Sequence, residues 1–294
     1  MNIRYLILVL TTRCNLRCRY CYAGDSDRNA DMTPDVMERA FALAGESGRS
    51  FHLQLTGGEP TLVPERIEAA ARLARNTVNC RSVGIQTNAT RLTPELLTLL
   101  KHYDIQIGVS FDGPPAVHQQ QRGMASETLK GLGLLESARV PFRVTTVVTR
   151  FNAMLLDHVV LALAGYSQAR GIALDLVVNK GQALSGGDIM PADRCMLEKG
   201  LPAMRTALDR VNARRAVPIQ WREWDRLRPA AGVTREMSAF CHAAHGQSVA
   251  VTPDGRLFPC GQTLEDFFFR RYGLETKRRE PRFPSNLPAG LGSL

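Results

Sequence analysis

The chain has 294 residues, 44% hydrophobic and 22% charged, which is the balance of a folded globular protein and excludes a disordered or fibrous one. Its net charge of +9 comes mostly from arginines scattered along the sequence, and the longest apolar run near the N-terminus, Tyr5 to Leu10, falls far short of the roughly 20 residues a membrane span needs. Seven cysteines without an export signal argue against a disulfide framework and for metal binding or catalysis in a reducing compartment, so a cytoplasmic protein with no membrane partner is expected.

Short apolar runs alternate with longer amphipathic stretches up to about residue 185, the pattern of a parallel α/β domain. Strands are expected at Ile3 to Val9, His52 to Thr56, Ser82 to Thr87, Ile105 to Phe111, Arg143 to Thr149 and Ala173 to Val178. Thr33-Pro34 reads as an N-cap followed by proline at the first helical position, opening a helix to about Gly45, and Thr93-Pro94-Glu95 repeats the device. A closed (β/α)₈ barrel takes about 250 residues, so six βα units in the first 185 predict a partial (β/α)₆ TIM-like barrel, open on one side. Residues 186–237 read as a helical bridge, with Trp221 and Trp224 near its end. In 238–270 the pattern turns to β type, and Pro253-Asp254-Gly255 supplies the turn of a small hairpin domain. After Arg270 the sequence is rich in proline, glycine and arginine without a period, and 271–294 are expected to form a poorly ordered basic tail.

The strongest chemical signal is TTRCNLRCRYCYAG, where Cys14, Cys18 and Cys21 sit at CxxxCxxC spacing just after the first strand. Thiolates are what iron–sulfur clusters require, and three of them leave one iron with an open position, whereas a structural zinc site would want a fourth protein ligand. The second signal is TGGEPTL at 56–62, after the second strand. Gly57 and Gly58 lack side chains and allow close backbone approach to a ligand, while Glu59 offers a carboxylate to an ammonium group. Asn88, Ser110 and Asp112 lie at the ends of the third and fourth strands, where functional side chains gather in barrels of this kind.

The cysteine loop, with an aromatic residue, Tyr20, before its third cysteine, resembles the signature of the radical SAM superfamily, and TGGEP resembles that family's GGEP motif. The resemblance covers about residues 1–185. It implies one four-iron four-sulfur (4Fe–4S) cluster on Cys14, Cys18 and Cys21, with S-adenosylmethionine (SAM) chelating the open iron and cleaved reductively to a 5′-deoxyadenosyl radical. It implies SAM contacts from Tyr20, Gly57, Gly58, Glu59, Asn88, Ser110, Asp112 and Arg122. Arg122 matches the arginine of related peptide-modifying enzymes in HQQQR, although the acid of that segment is replaced by Gln119. No catalytic residue beyond these is assigned.

Cys241 and Cys260 bracket the hairpin with spacing similar to the opening half of SPASM or twitch domains, which carry auxiliary iron–sulfur clusters. No cysteine follows Cys260, so at most a one-cluster, twitch-like extension is implied, with Cys195, His242 or His245 to complete it; the other reading is a relic in which both cysteines pack as small hydrophobes. Gly261 stands where sulfatase maturases of this type have an aspartate. The resemblance therefore implies a maturase of a ribosomally made peptide or protein, acting by crosslinking, oxidation or epimerisation and fed by an electron donor such as flavodoxin or ferredoxin. A small-molecule dehydrogenase or cofactor-biosynthesis enzyme is the runner-up. RNA modification ranks lower, since no RNA-binding motif accompanies the charge and no nucleic-acid partner is expected.

Overall fold

In a computed structural model the chain is described at residues 2–24, 29–185, 189–227 and 241–264. The first six strands are β1 (Tyr5–Val9), β2 (Phe51–Thr56), β3 (Cys80–Thr87), β4 (Ile105–Ser110), β5 (Phe142–Val148) and β6 (Ala169–Leu176). Between them run helices α1 (Pro34–Gly45), α2 (Pro64–Asn76), α3 (Pro94–His102), α4 (Pro115–Gln121), α5 (Ala125–Ser137) and α6 (Leu156–Leu163). The caps form as their chemistry dictates: the Thr33 side chain accepts from the Val36 N–H and that of Thr93 from the Leu96 N–H, with proline next in each case.

Alternation along each strand sends Leu6, Leu8, Leu53, Leu55, Val83, Ile85, Ile107, Val109 and Val144 into one core with Met37, Phe41, Ile67, Leu97, Leu132 and Val160 of the helices. Each of these buried large aliphatics contributes roughly 1.5–3 kcal/mol. After β6 come α7 (Gln182–Ser185), α8 (Arg194–Asn212), β7 (Gln220–Trp221), α9 (Arg222–Leu227), β8 (Ser248–Val251) and β9 (Leu257–Phe258). All nine strands share one sheet in the order β7-β6-β5-β4-β3-β2-β1-β8-β9, parallel except for the β8–β9 pair. The barrel is open: β7 and β9 are the outer strands among the described residues.

Three features depart from the sequence expectation. β6 starts four residues earlier than the expected Ala173, at Ala169, and its Gly171 lies under the Arg143 side chain of β5. Inside the stretch expected to be helical, Gln220 and Trp221 pair with Gly171 and Ile172 as a seventh strand. The hairpin forms at its turn, but β8 pairs in parallel with β1, Tyr5 opposite Ser248, so it extends the main sheet instead of standing apart. The expected basic tail, 271–294, lies outside the described residues. No described helix is long and apolar enough to cross a membrane.

Candidate functional site

The loop after β1 carries Cys14, Cys18 and Cys21, none of them in a disulfide. Four neighbouring segments hold it in place. From the turn after β2, the Gly58 N–H donates to Thr11 O and the Glu59 N–H to Arg13 O, both at 2.8 Å. A Cβ on Gly57 would lie 2.5 Å from Thr11 O, and one on Gly58 would lie 2.2 Å from Arg13 O. Only glycine fits at either position, and what it approaches is the backbone of the cysteine loop. After β3, the Asn88 amide donates to Asn15 Oδ1 at 3.0 Å, and the Asn15 amide to Thr90 Oγ1 at 2.8 Å. From α4, Gln121 O accepts from the Arg19 N–H at 2.9 Å. After β6, Gln182 N–H donates to Cys21 O at 2.9 Å; the preceding Gly181 has φ +60°, and a Cβ there would lie 2.3 Å from the same oxygen.

The thiols sit where their ionised form needs a cation. Burial pushes Cys18 up to about 12, with Arg122 pulling the other way, and burial also raises Cys14, whose sulfur accepts the Leu16 N–H at 3.4 Å. Among the described residues no three His, Cys, Asp or Glu side chains converge on a single metal ion. Three thiols on one loop suit a polynuclear cluster, in which each thiolate holds a different iron and one iron keeps an open position.

The other expected site residues form two networks around this loop. Buried Glu59 accepts at Oε1 from the Thr61 N–H (3.0 Å) and from the hydroxyls of Thr61 and Thr87 (2.7 Å each), and at Oε2 from the Asn88 N–H (2.7 Å). Burial raises its pKa, opposed by these bonds, and Oε2 keeps capacity for a further donor. On the opposite side Asp112 and Arg122, buried to 0% and 9% exposure, form a bidentate pair at 2.9 and 3.2 Å. Asp112 also accepts from the Tyr20 hydroxyl and, at 3.0 Å, from the Val147 N–H, while the Arg122 guanidinium lies 5.1 Å from the Tyr20 ring centre. Tyr20, Asp112 and Arg122 thus lock to one another beneath the cysteine loop. Ser110 Oγ accepts from the Gln86 amide at 3.0 Å.

Sequence reading missed a second role for the strands. In a closed barrel the interior is packed by branched apolar side chains; here the sheet face turned away from the helices is polar. Three long side chains there stand directly across from glycines on the next strand: Gln54 opposite Gly84, Gln86 opposite Gly108 and Arg143 opposite Gly171. Each lies over its glycine, with a Cβ there 3.1, 2.5 and 2.5 Å respectively from the side chain of its partner. The result is a floor of amide and guanidinium groups edged by Tyr5, whose hydroxyl donates to Gln54 at 3.1 Å and whose ring stacks between those of His52 and His242, 4.9 and 5.7 Å away. Burial pushes the Tyr5 hydroxyl up, against the pull of Arg222 and Arg226 of α9. The signal was present as glycines in the middle of strands.

Tyr22, also not anticipated, reaches from Cys21 toward the C-terminal segment, its hydroxyl 3.3 Å from where a Gly261 Cβ would stand; Lys180 donates to the carbonyls of Gln262 and Leu264. Cys260 is therefore close to the cysteine loop through Tyr22. Cys241 is exposed, His242 is stacked on Tyr5, and Cys195 is exposed at the start of α8, so the described residues do not bring these groups together as ligands of one site.

The family model of the radical SAM superfamily matches residues 8–156. The chain is 35% identical over 186 residues to an uncharacterized protein of Methanocaldococcus jannaschii (61% of this chain, 64% of that one). It is 29% identical over 199 residues to an AdoMet-dependent heme synthase of Methanosarcina barkeri (65% and 55%), and 26% identical over 285 residues to a serine-type anaerobic sulfatase-maturating enzyme of Klebsiella aerogenes (85% and 64%). It thus spans less than two thirds of the length of each of these relatives. Among solved structures, anSMEcpe with bound AdoMet superposes with a TM-score of 0.72 at 24% identity over 90% of this chain and 76% of that one, a likeness of fold.

Proposed function

This chain belongs to the radical SAM superfamily, whose members use a 4Fe–4S cluster and SAM, and from that premise we propose that it modifies a ribosomally made peptide or protein by hydrogen abstraction. Cys14, Cys18 and Cys21 would hold the cluster. The GGE turn, Asn88 and Ser110 border the space beside it that SAM would occupy. Bound together, the two groups supply a carbon-centred radical strong enough to take a hydrogen atom from an unactivated C–H bond.

The residues of the chain do the rest. Glu59, with its oxygens fixed by Thr61, Thr87 and Asn88, keeps the two glycines against the cysteine loop and can accept one more N–H at Oε2. The Tyr20–Asp112–Arg122 lock fixes the other side of the loop, so its thiols are oriented before any ligand arrives. The observation that carries the peptide reading is the polar floor. Amide and guanidinium groups laid over glycines offer paired donors and acceptors to a backbone of the same chemistry.

The test is anaerobic turnover with SAM, a chemical reductant and synthetic peptides taken from small open reading frames beside the gene. One peptide should raise 5′-deoxyadenosine formation several-fold and itself lose two hydrogens or change configuration at one residue. If no peptide alters the background rate, the peptide reading is lost. Acceleration by a tetrapyrrole or nucleotide instead would give the site to the second reading, a small-molecule enzyme, which the resemblance to a heme synthase supports.

A further inference from the structure

We propose that Tyr22 and Lys180 are positioning residues that couple cluster loading of the cysteine loop to docking of the C-terminal turn, which is held firmly when the cluster is in place and loosens when it is lost. The inference rests on Cys21 as a cluster ligand and is independent of what the substrate is.

A closed circuit of contacts carries it. Tyr22 follows Cys21, and its hydroxyl lies 3.3 Å from where a Gly261 Cβ would stand. Lys180 precedes Gly181 and donates to the carbonyls of Gln262 and Leu264 in the same turn. Gly181 is in turn pressed against the cysteine loop. A Cβ there would lie 2.3 Å from Cys21 O and 2.7 Å from Tyr22 O, and the next residue, Gln182, donates its N–H to Cys21 O at 2.9 Å. The two arms that grip the turn therefore spring from backbones that touch each other at Cys21. The turn itself is a closed unit: Cys260 N–H donates to Thr263 Oγ1 at 3.1 Å, and Thr263 N–H to Cys260 O at 3.2 Å.

The Cys21 end of this circuit is the part that ligation stiffens. Near Cys14 and Cys18 the loop is tied to other segments through Asn15 and Arg19, whereas Cys21 is tied through the N–H of Gln182. Joining all three thiolates to one group cross-links that end to the rest of the loop, and the free energy of such binding goes into ordering the chain that carries the ligands. A fixed Cys21 fixes Tyr22 and the seat of Gly181, and with them both arms. Linkage makes the effect reciprocal: the factor by which the cluster favours docking of the turn is the factor by which docking favours retention of the cluster. Lys180 thus bears on iron retention without being a ligand.

The test is hydrogen exchange, read by mass spectrometry on the full chain under anaerobic conditions, with and without the reconstituted cluster; neither SAM nor turnover is involved. Peptides covering 257–264 should exchange about fivefold more slowly in the loaded wild type than in the metal-free protein, with those of α3 unchanged. In Lys180→Met and in Tyr22→Ala that difference should shrink to within about twofold. Lys180→Met should take up as much iron as the wild type but release it to bathophenanthroline about fivefold faster, and Lys180→Arg should restore most of both properties. A purely structural contact would protect the turn equally in both forms, so exchange of 257–264 that is indifferent to the cluster overturns the proposal. So does iron release from Lys180→Met at the wild-type rate. Loss of the difference in Cys260→Ser, which leaves both arms intact, overturns it as well, because metal on that cysteine would then hold the turn. Wild-type protein that takes up no iron would remove Cys21 as a ligand and the coupling with it, a failure distinct from iron uptake without coupling.

Discussion

Replacing Gly58 by alanine puts a methyl carbon 2.2 Å from Arg13 O, 2.6 Å from Arg13 C and 2.8 Å from Thr12 O. All three neighbours are backbone, so no rotamer change relieves the contact, and the two loops must separate. Overpacking of this kind costs roughly 1–3 kcal/mol. Separation also breaks the bonds from Gly58 N–H to Thr11 O and from Glu59 N–H to Arg13 O, worth about 1 kcal/mol each. The sum, about 3–5 kcal/mol, should lower the Tm of the metal-free protein by roughly 6–10 °C, followed by circular dichroism. Because the displaced segment carries the cysteines, iron retained after anaerobic reconstitution should fall toward that of a Cys14/Cys18/Cys21→Ala variant. Gly133→Ala is the control: it lies in α5 with nothing within 4 Å of the added carbon, and alanine there should be neutral or stabilising by about 0.5–1 kcal/mol. Wild-type Tm and iron content in Gly58→Ala would refute the view that the Gly-Gly pair exists to let the two loops touch.

Two further predictions concern the lock beneath the loop. Arg122→Met strands the Asp112 carboxylate in a buried site and should cost about 3–5 kcal/mol in chemical denaturation, whereas the Asp112→Leu/Arg122→Met double variant should recover much of that loss; simple additivity of the two single changes would show that the pair does not act as a unit. His118, fully buried and accepting the Asp112 N–H at Nδ1, has its pKa pushed down to about 4 by burial, with the Arg122 charge adding to the effect. The imidazole is therefore neutral in the fold, and the stability this represents is present above pH 6.5 and lost as the pH falls through 4. The shift corresponds to about 3 kcal/mol. His118→Asn, which keeps an acceptor for Asp112, should show a shallower fall in stability between pH 6.5 and 4 than the wild type, and equal slopes would remove His118 from the account.

What the sequence determined by itself was whatever depends on near neighbours in the chain. The period-2 alternation of Leu6 and Leu8 or Leu53 and Leu55, the Thr-Pro caps and the Pro-Asp-Gly turn are local chemistry, and β1 to β6 and the hairpin turn appear close to where that chemistry puts them. The cysteine spacing is equally local, and with it came the superfamily. What only the tertiary structure decided were the pairings between distant residues, because side-chain type does not specify a partner. Asp112 and Arg122 are plausible ligand contacts when read singly, yet ten residues of chain fold back to make each the other's counter-ion. Gly57 and Gly58 read as places of close backbone approach, and the structure shows that their Cβ side faces the backbone of Thr11 to Arg13. Gln54, Gln86 and Arg143 carry no signal until strand register sets each beside a glycine. β8 joins β1 across more than 230 residues because β1, the outermost of the first six strands on that side, would otherwise leave its N–H and C=O groups unpaired, and an edge demands pairing without saying from where it will come.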